Sequence, residues 1–257
     1  MLSSAQHYVA APTRLPPALL LPANERRRAV QTVKIALAVG GEALTAAHRE
    51  PGATPTVFAS SGADGDTIHE ILSALASADR AISPTRFHNS VHNASAGYWS
   101  IAAGSMAAST SLCCHDDSFA AGLLEAGVQA CVEDHAVALI AYDAPYPSPL
   151  REKRPLGAAF GVALVLAPAP TPAAFARMDL VVEPGAAAAT TLASAELEAL
   201  RHGTPAARSL PLLSALAGQV ETRVIIGYLN DMALRLTIRP VRHNDEYAGG
   251  TIAGKQT

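Results

Sequence analysis

Side chains that can do chemistry are concentrated between residues 83 and 118, in a chain that is otherwise rich in alanine. The run 83–101 holds two histidines, two asparagines and the only tryptophan of the chain. His88 and His92 are four residues apart, a spacing that on a helix would place both imidazoles on one face and could bind zinc. A third ligand would have to come from residues 115–117, and the glutamate that follows the first histidine of a zincin motif is missing. We therefore predict no metal site and favour hydrogen-bonding roles at a buried interface.

Cys113 and Cys114 come directly before a predicted helix and are followed by His115. The amides at a helix N-terminus lower the pKa of a thiol, and a neighbouring imidazole can serve as its base, which would suit acyl transfer or thioester hydrolysis. Asp116 and Asp117 act in the opposite direction, because nearby negative charge raises the pKa of a thiol. Either aspartate would also serve as the helix cap. Cys113, Cys114 and His115 are thus candidate catalytic residues, with structural cysteines as the alternative.

The rest of the sequence excludes several functional classes. The glycines around Gly62 and Gly65 form neither a P-loop nor a dinucleotide fingerprint, and no Gly-x-Ser-x-Gly motif is present, so we expect no cofactor. The chain has 19 Lys and Arg against 22 Asp and Glu, a balance that argues against nucleic-acid binding. The cluster Arg26–Arg28 is either a solvated first turn of a helix or a docking site for an acidic partner.

Neither an export signal nor a membrane segment is predicted. Residues 1–22 lack a basic start and contain four prolines, and no apolar run reaches the roughly 20 residues of a membrane span. Three cysteines without paired spacing make a disulfide framework improbable. We therefore expect a cytoplasmic protein.

The elements that must position these side chains alternate between strands and helices. Predicted strands lie at 6–11, 56–60, 105–110, 136–142 and 157–166. Predicted helices begin at Ala23, follow a cap at Asp64 or Asp66, and cover 90–103 and 116–132, the last with Cys131 in its apolar face. Alternation of this kind implies a largely parallel sheet with helices on both faces. The last third predicts a strand at 178–182, helices at 194–202 and 209–217, and a hairpin formed by 223–228 and 233–238.

The run from Ser83 through Asn93-Ala-Ser-Ala-Gly97 to Ile101, the weak strand after it and the helix from Asp116 resemble the N-terminal half of a β-ketoacyl synthase. More closely, the chain resembles the short ketosynthase-like proteins found with aryl-polyene pigment pathways. That likeness is carried by residues 20–28, 67–72, 87–93 and 117–125, and it covers roughly residues 5 to 240. The central motif is specific, whereas the last third matches loosely.

The resemblance implies a thiolase-like half, with α/β layers around a mostly parallel five-stranded sheet and a shortened, altered C-terminal part. The implied organisation is a ketosynthase-like domain at 1–167, an extension at 168–240 packed on the same core, and a mobile tail at 241–257. In the family the nucleophile lies in a Thr-Ala-Cys-Ser-Ser run. Here the corresponding region is 109–115, and the nucleophile position falls on Leu112, on a cysteine or on His115.

Two departures from the family decide the functional expectation. Active condensing enzymes carry two histidines, or a histidine and an asparagine, in motifs resembling Gly-Thr-Gly-Thr and Asn-x-x-Phe-Gly-Phe-Gly-Gly, and this chain has neither motif. His202 and His243 lack that context. Preorganised donors of this kind typically contribute about 100- to 1,000-fold each. The chain is therefore expected to be a poor condensing catalyst by itself.

The resemblance then implies a non-catalytic subunit, similar to a chain length factor, that pairs with a β-ketoacyl synthase and is visited only indirectly by an acyl carrier protein. An edge strand of the subunit would pair with its mate and so be covered. The residues implied at the interface or the acyl tunnel are Phe87, His88, Asn89, Ser90, His92, Asn93, Ser109, Thr110 and Leu112. The alternatives are a stand-alone acyltransferase or thioesterase using Cys113 or Cys114, and a self-associating structural homodimer.

Overall fold

The computed structural model describes residues 8–9, 11–185 and 187–241. Half of the strand predicted at 6–11 therefore falls outside the described residues, and so does the tail expected to be mobile, from residue 242 onward. None of the helices in these ranges is both long and apolar enough to cross a membrane.

Helices and strands alternate through the first two thirds of the described chain, and strands dominate the rest. The helices are α1 (Ala23–Arg28), α2 (Gln31–Ala46), α3 (Gly65–Ala76), α4 (Pro84–Asn89), α5 (Ala94–Ala103), α6 (Ser118–Val132), α7 (Leu150–Lys153), α8 (Ala195–Gly203) and α9 (Leu210–Ala217). The strands are β1 (Thr56–Ala59), β2 (Ser109–Leu112), β3 (Val137–Asp143), β4 (Phe160–Leu166), β5 (Ala176–Pro184), β6 (Thr222–Tyr228) and β7 (Met232–Pro240). Two 3₁₀ turns, His115–Asp117 and Pro205–Ser209, precede α6 and α9.

The central sheet has the strand order β2-β1-β3-β4. β1 is parallel to β2 and to β3, whereas β4 is antiparallel to β3. Within the described residues the sheet thus has four strands rather than the expected five, and the missing one is the strand predicted at 6–11. β4 reverses because the connection after β3 contains only the four-residue helix α7, which is too short to carry the chain back across the sheet.

The central sheet is buried on both faces, which explains why β3 is apolar at nearly every position. Val137, Leu139 and Ala141 belong to the core cluster on the α6 face. Ala138 and Ile140 belong to the cluster on the opposite face, formed with α2 and α5. All seven residues of β3 are buried.

A second sheet, with the order β5-β7-β6, is antiparallel and packs on the far side of α6 and α9. Leu123 of α6, Leu212 of α9 and Leu236 of β7 lie in one core cluster with the inner face of the central sheet. The layers are therefore helix, sheet, helix and sheet. The outer face of the second sheet carries ion pairs such as Arg235–Glu183, in which Nε and Oε1 are 2.5 Å apart.

Several local expectations hold and others need correction. Asp64 caps α3, since its carboxylate accepts a hydrogen bond from the Thr67 amide at 3.0 Å. The helix predicted from Ala23 is instead two helices, because the backbone is extended at Ala29 and Val30, where buried Ala29 and partly buried Val30 pack against the α2 core cluster. Cys131 is exposed and not in the core, because α6 buries the face that carries Leu123.

Candidate functional site

The parallel strands β2, β1 and β3 bring their carboxyl ends to one edge of the central sheet. Cys113 follows β2, Ser60 and Ser61 follow β1, and Asp143 ends β3. Ligands of open α/β sheets bind at this edge. We therefore expect the candidate functional residues of this chain at this edge.

Asp143 connects three segments at this edge. Its carboxylate, 2% exposed, accepts hydrogen bonds from the Ser61 amide at 2.9 Å, the Ser61 hydroxyl at 2.6 Å and the Ala206 amide at 2.7 Å. Burial raises the pKa of Asp143, and the bonds from Ser61 and Ala206 oppose that shift. The neighbouring Tyr142 is also enclosed, and burial raises its pKa to about 12. Because both carboxylate oxygens accept hydrogen bonds from other segments, Asp143 connects these segments and stabilises the fold.

The turn between β2 and α6 contains both candidate thiols. Cys113 is exposed and Cys114 is partly buried. The Cys114 amide donates to Ser118 Oγ at 3.0 Å, and that hydroxyl donates to the His115 carbonyl at 2.7 Å. Burial, followed by the charges of Cys113 and Asp117, raises the pKa of the Cys114 thiol. Of the two acidic neighbours considered from the sequence, Asp117 contributes to this rise in pKa, after burial and Cys113.

His115 does not complete a thiol–imidazole pair. Its backbone φ is 53°, a left-handed conformation that is uncommon for a residue with a Cβ and that sharpens the turn from strand to helix. Its Nδ1 lies 3.6 Å from the Asp116 carboxylate. Among the described residues no histidine hydrogen-bonds to either thiol. The described residues therefore show no thiol–imidazole pair of the kind that activates a nucleophilic cysteine.

Asp116 and Asp117 form an ion network instead of capping α6. Asp117 occupies the cap position but makes no side-chain cap hydrogen bond. Asp116 lies 2.6 Å from Arg154 Nη2 and 3.1 Å from Arg208 Nη2, and Asp117 lies 2.7 Å from Arg208 Nη1. Burial tends to raise the pKa of Asp116, but the Arg154 hydrogen bond and the charges of Arg154 and Arg208 outweigh it, and the net pKa is lowered.

The two histidines of the central motif lie on different elements, which corrects the idea that they share a helix face. His88 lies in α4, a helix that begins at Pro84 and ends at Asn89, whereas His92 lies in the turn before α5. Across residues 8–9, 11–185 and 187–241 no group of three or more His, Cys, Asp or Glu side chains could hold a metal ion.

Residues 87–93 divide into a buried and an exposed part. Asn89 is buried and its Nδ2 donates to the Arg28 carbonyl at 3.0 Å, which ties α4 to α1. The His88 ring lies edge-on to Tyr98, with centroids 5.8 Å apart. Phe87 is 66% exposed, and Ser90 Oγ donates to the Phe87 carbonyl at 2.8 Å. Exposed Asn93 precedes α5 and makes no side-chain cap bond.

β2 is the edge strand of the central sheet, at Ser109–Leu112 rather than at the predicted 105–110. The carbonyls of Ala108 and Leu112 accept from the amides of Thr56 and Ser60 in or beside β1. Because backbone groups alternate along a strand, those of Ser109 and Ser111 point away from β1. His92 Nε2 lies 3.3 Å from the Ser111 carbonyl, so the central motif does reach this edge.

The side chains of β2 hold it in place from the inside. Ser109 Oγ accepts from Thr56 Oγ1 at 3.0 Å, and Thr110 Oγ1 accepts from Gln129 Nε2 at 3.0 Å. Leu112 packs against the main core cluster. Of the predicted interface residues, the structure therefore brings His92 and β2 together, and it leaves Phe87 and Ser90 on the adjoining surface.

Sequence reasoning missed four residues of this edge. Asp143 and Ser61 could have been suspected, since an acid ending a buried apolar strand needs nearby donors. The sequence gives no such indication for Arg154 and Arg208, because only the tertiary structure brings them next to Asp116.

Comparison with known proteins places this geometry in context. The family model described as "Beta-ketoacyl synthase, N-terminal domain" matches residues 3–221. No curated protein matches the chain.

The solved structures that share its fold include two complexes. One is the ketosynthase ApeO in complex with its chain length factor ApeC from Xenorhabdus doucetiae, with a TM-score of 0.63 and 23% identity over 84% of this chain and 81% of that chain. The other is the ishigamide ketosynthase/chain length factor, with a TM-score of 0.64 and 12% identity over 88% of this chain and 85% of that chain. The predicted fold class, thiolase-like α/β, is confirmed.

Proposed function

Since the chain belongs to the β-ketoacyl synthase N-terminal domain family, we propose that it is a non-catalytic ketosynthase-like subunit that pairs with an active β-ketoacyl synthase. In this proposal it acts as a chain length factor does, in the cytoplasm, during aryl-polyene biosynthesis of the fatty-acid and polyketide type. Both similar structures are of a ketosynthase together with a chain length factor, which supports a role in such a pair.

The observation that carries the proposal is the open edge of β2. Within the described residues no strand pairs with the outer side of Ser109–Leu112, and the backbone groups of Ser109 and Ser111 point outward. Unpaired edges attract other chains, so natural proteins cover or block them. His92 covers only one carbonyl. A mate that supplies an antiparallel strand would satisfy the remaining groups.

Exposed apolar side chains on the segments that lead to β2 support a protein partner. Met106, just before β2, is 97% exposed, and Phe87, Val91 and Ile101 are also exposed. Exposed apolar groups of this kind mark interaction sites where they form a contiguous patch. We place Phe87, His88, Ser90, His92 and Asn93 at the interface or at the tunnel that would hold the acyl chain.

The thiols support a non-catalytic role. Cys114 has a raised pKa, and neither thiol is hydrogen-bonded to a histidine in the described structure. The sequence also lacks the motifs that supply the carbonyl-activating imidazoles in active condensing enzymes. In this proposal the synthase partner provides those groups, and the carrier protein delivers its thioester to the synthase.

Acyl trapping tests this assignment of roles. The reconstituted pair is treated with a thiol-directed acyl analogue, and each chain is analysed by mass spectrometry. We expect the label on the synthase alone, with pairing intact. Stoichiometric labelling of Cys113 or Cys114 would instead favour a thiol-dependent acyltransferase or thioesterase.

A further inference from the structure

A surface cavity of about 460 Å³ opens between the proline-rich N-terminal segment and the start of α2. One wall is apolar and consists of Leu15, Pro16, Pro17 and Ala18. The other wall is polar and consists of Arg26, Gln31 and Lys34. Neither the β2 edge nor the turn with the two thiols lines this cavity, so it is separate from the site above.

The two cations of the polar wall lack acidic partners. In the described part of the chain, neither Arg26 nor Lys34 forms an ion pair, and the nearby Glu25 carboxylate is paired with Arg28 at 3.6 Å. One Arg26 donor, Nη2, bonds to the Leu21 carbonyl at 3.1 Å. Its Nε is buried without a hydrogen-bond partner. Arg26 thus lines the cavity with a guanidinium that no carboxylate of the described residues neutralises.

The backbone adds positive potential to the same wall. α2 begins at Gln31 and is 16 residues long, and its cap residue, Val30, offers no side-chain acceptor to the first amides. The amino end of a helix carries a partial positive charge. This potential reinforces Arg26 and Lys34 and does not replace them.

We propose that this cavity binds an organic phosphate monoester, with the phosphate on Arg26 and Lys34 and the organic group on the proline wall. A phosphate monoester carries about two negative charges at neutral pH, which matches the two unpaired cations. Concave sites that combine an apolar wall with a few polar groups suit small ligands better than flat protein surfaces do. The inference goes beyond the proposed pairing and does not depend on it.

Binding of phenyl phosphate to the full chain at low ionic strength, measured by isothermal titration calorimetry, tests the proposal. Phenyl phosphate is expected to bind one molecule per chain and more tightly than inorganic phosphate, while benzyl alcohol does not bind. Arg26→Gln and Lys34→Gln should each weaken binding by about tenfold, as expected for losing one charged hydrogen bond.

Arg27→Gln is the matched control, because it removes the same charge one residue away. Arg27 is exposed, hydrogen-bonds to Asn24 and does not line the cavity, so its loss should change the affinity less than about twofold. Lys34→Gln keeps the test valid if Arg26→Gln, which loses the bond to Leu21, fails to fold. The proposal is overturned if phenyl phosphate shows no saturable binding, or if Arg27→Gln weakens it as much as Lys34→Gln does.

Discussion

Asp116 holds the thiol-bearing turn to segments far along the chain. Its carboxylate contacts Arg154, just after α7, and Arg208, in the turn before α9. Asp143, at the end of β3, likewise connects distant segments, because it accepts hydrogen bonds from Ser61 and Ala206. At this scale the acidic residues nearest the candidate site connect it to the rest of the fold through hydrogen bonds and ion pairs.

The lowered pKa of Asp116 predicts a pH-dependent contribution to stability. Because the folded-state pKa is depressed, the contribution is present above the unfolded-state value of about 3.9 and is lost as pH falls through the lower folded-state value. Between about pH 5 and pH 3 the free energy of unfolding should therefore fall less steeply in Asp116→Asn than in the wild type. Urea denaturation at a series of pH values measures both slopes.

Asp231→Asn provides the control for this experiment. Asp231 is exposed at the hairpin between β6 and β7 and belongs to none of the ion pairs of the described residues. Its variant should keep the wild-type slope. An Asp116→Asn variant with an unchanged slope would show that the Asp116 ion pairs contribute nothing.

Residue-level prediction from the sequence succeeded where the cause was local. Asp64 and Asp66 both stand at the start of an apolar pattern and either could cap α3, and Asp64, three residues before Thr67, is the one that does. The partners of Asp116 were out of reach, because Arg154 and Arg208 lie 38 and 92 residues away in the numbering. The four-residue spacing of His88 and His92 would have put both imidazoles on one face only within a single helix, and α4 ends at Asn89, between them.

At the scale of elements, β2 is the strand on which the proposed pairing depends. A proline at Ser111 removes an outward-facing amide, whereas a proline at Thr110 removes an amide that points toward β1. Ser111→Pro should therefore keep the fold and abolish association with the synthase. Thr110→Pro should also lower the melting temperature, because it interrupts the β1–β2 ladder.

Circular dichroism and co-purification separate the two proline variants. Ser111→Pro is expected to melt near the wild type while capturing no synthase from a co-expressing cell. Capture at the wild-type level by a folded Ser111→Pro variant would exclude β2 as the pairing edge.

α6 approaches the central sheet closely at one glycine. A Cβ at Gly122 would lie 2.7 Å from the Ala59 Cβ and 2.9 Å from Leu139 Cδ1, whereas a Cβ at Gly127 meets nothing within 4 Å. Gly122→Ala should therefore destabilise the fold by about 1–3 kcal/mol through overpacking. Gly127→Ala, in the same helix, should be stabilising by up to about 1 kcal/mol. Chemical denaturation gives both values, and equal effects would contradict the close packing of α6.

The bounds of a strand or helix could be predicted from the sequence where burial determines its residue pattern. β3 was recognisable because it is apolar on both faces, and its observed range differs from 136–142 by one residue at each end. β2 was displaced by several residues, because its small polar side chains give no periodic signal and its register is set by pairing with β1. The break between α1 and α2 also gave no signal in the sequence, because the residues on both sides of it are compatible with a helix.

At the scale of the whole molecule, the chain combines one thiolase-like layer set with a short antiparallel sheet that shares its core. We propose that residues 1–167 and 168–240 behave as one cooperative unit for that reason. The resemblance to the family predicted this architecture from the sequence. The four strands of the described central sheet and the antiparallel direction of β4 became visible only in the structure. The β2 edge is one of the strand edges that no other strand of the described residues covers, and it is where we propose that a second protein binds.

The mass of the chain in solution, measured by size-exclusion chromatography with light scattering, with and without a candidate β-ketoacyl synthase partner, tests the proposed pairing. We expect a stable one-to-one complex whose formation requires β2, and a chain that aggregates when it is produced alone. A stable homodimer that ignores the synthase would contradict it.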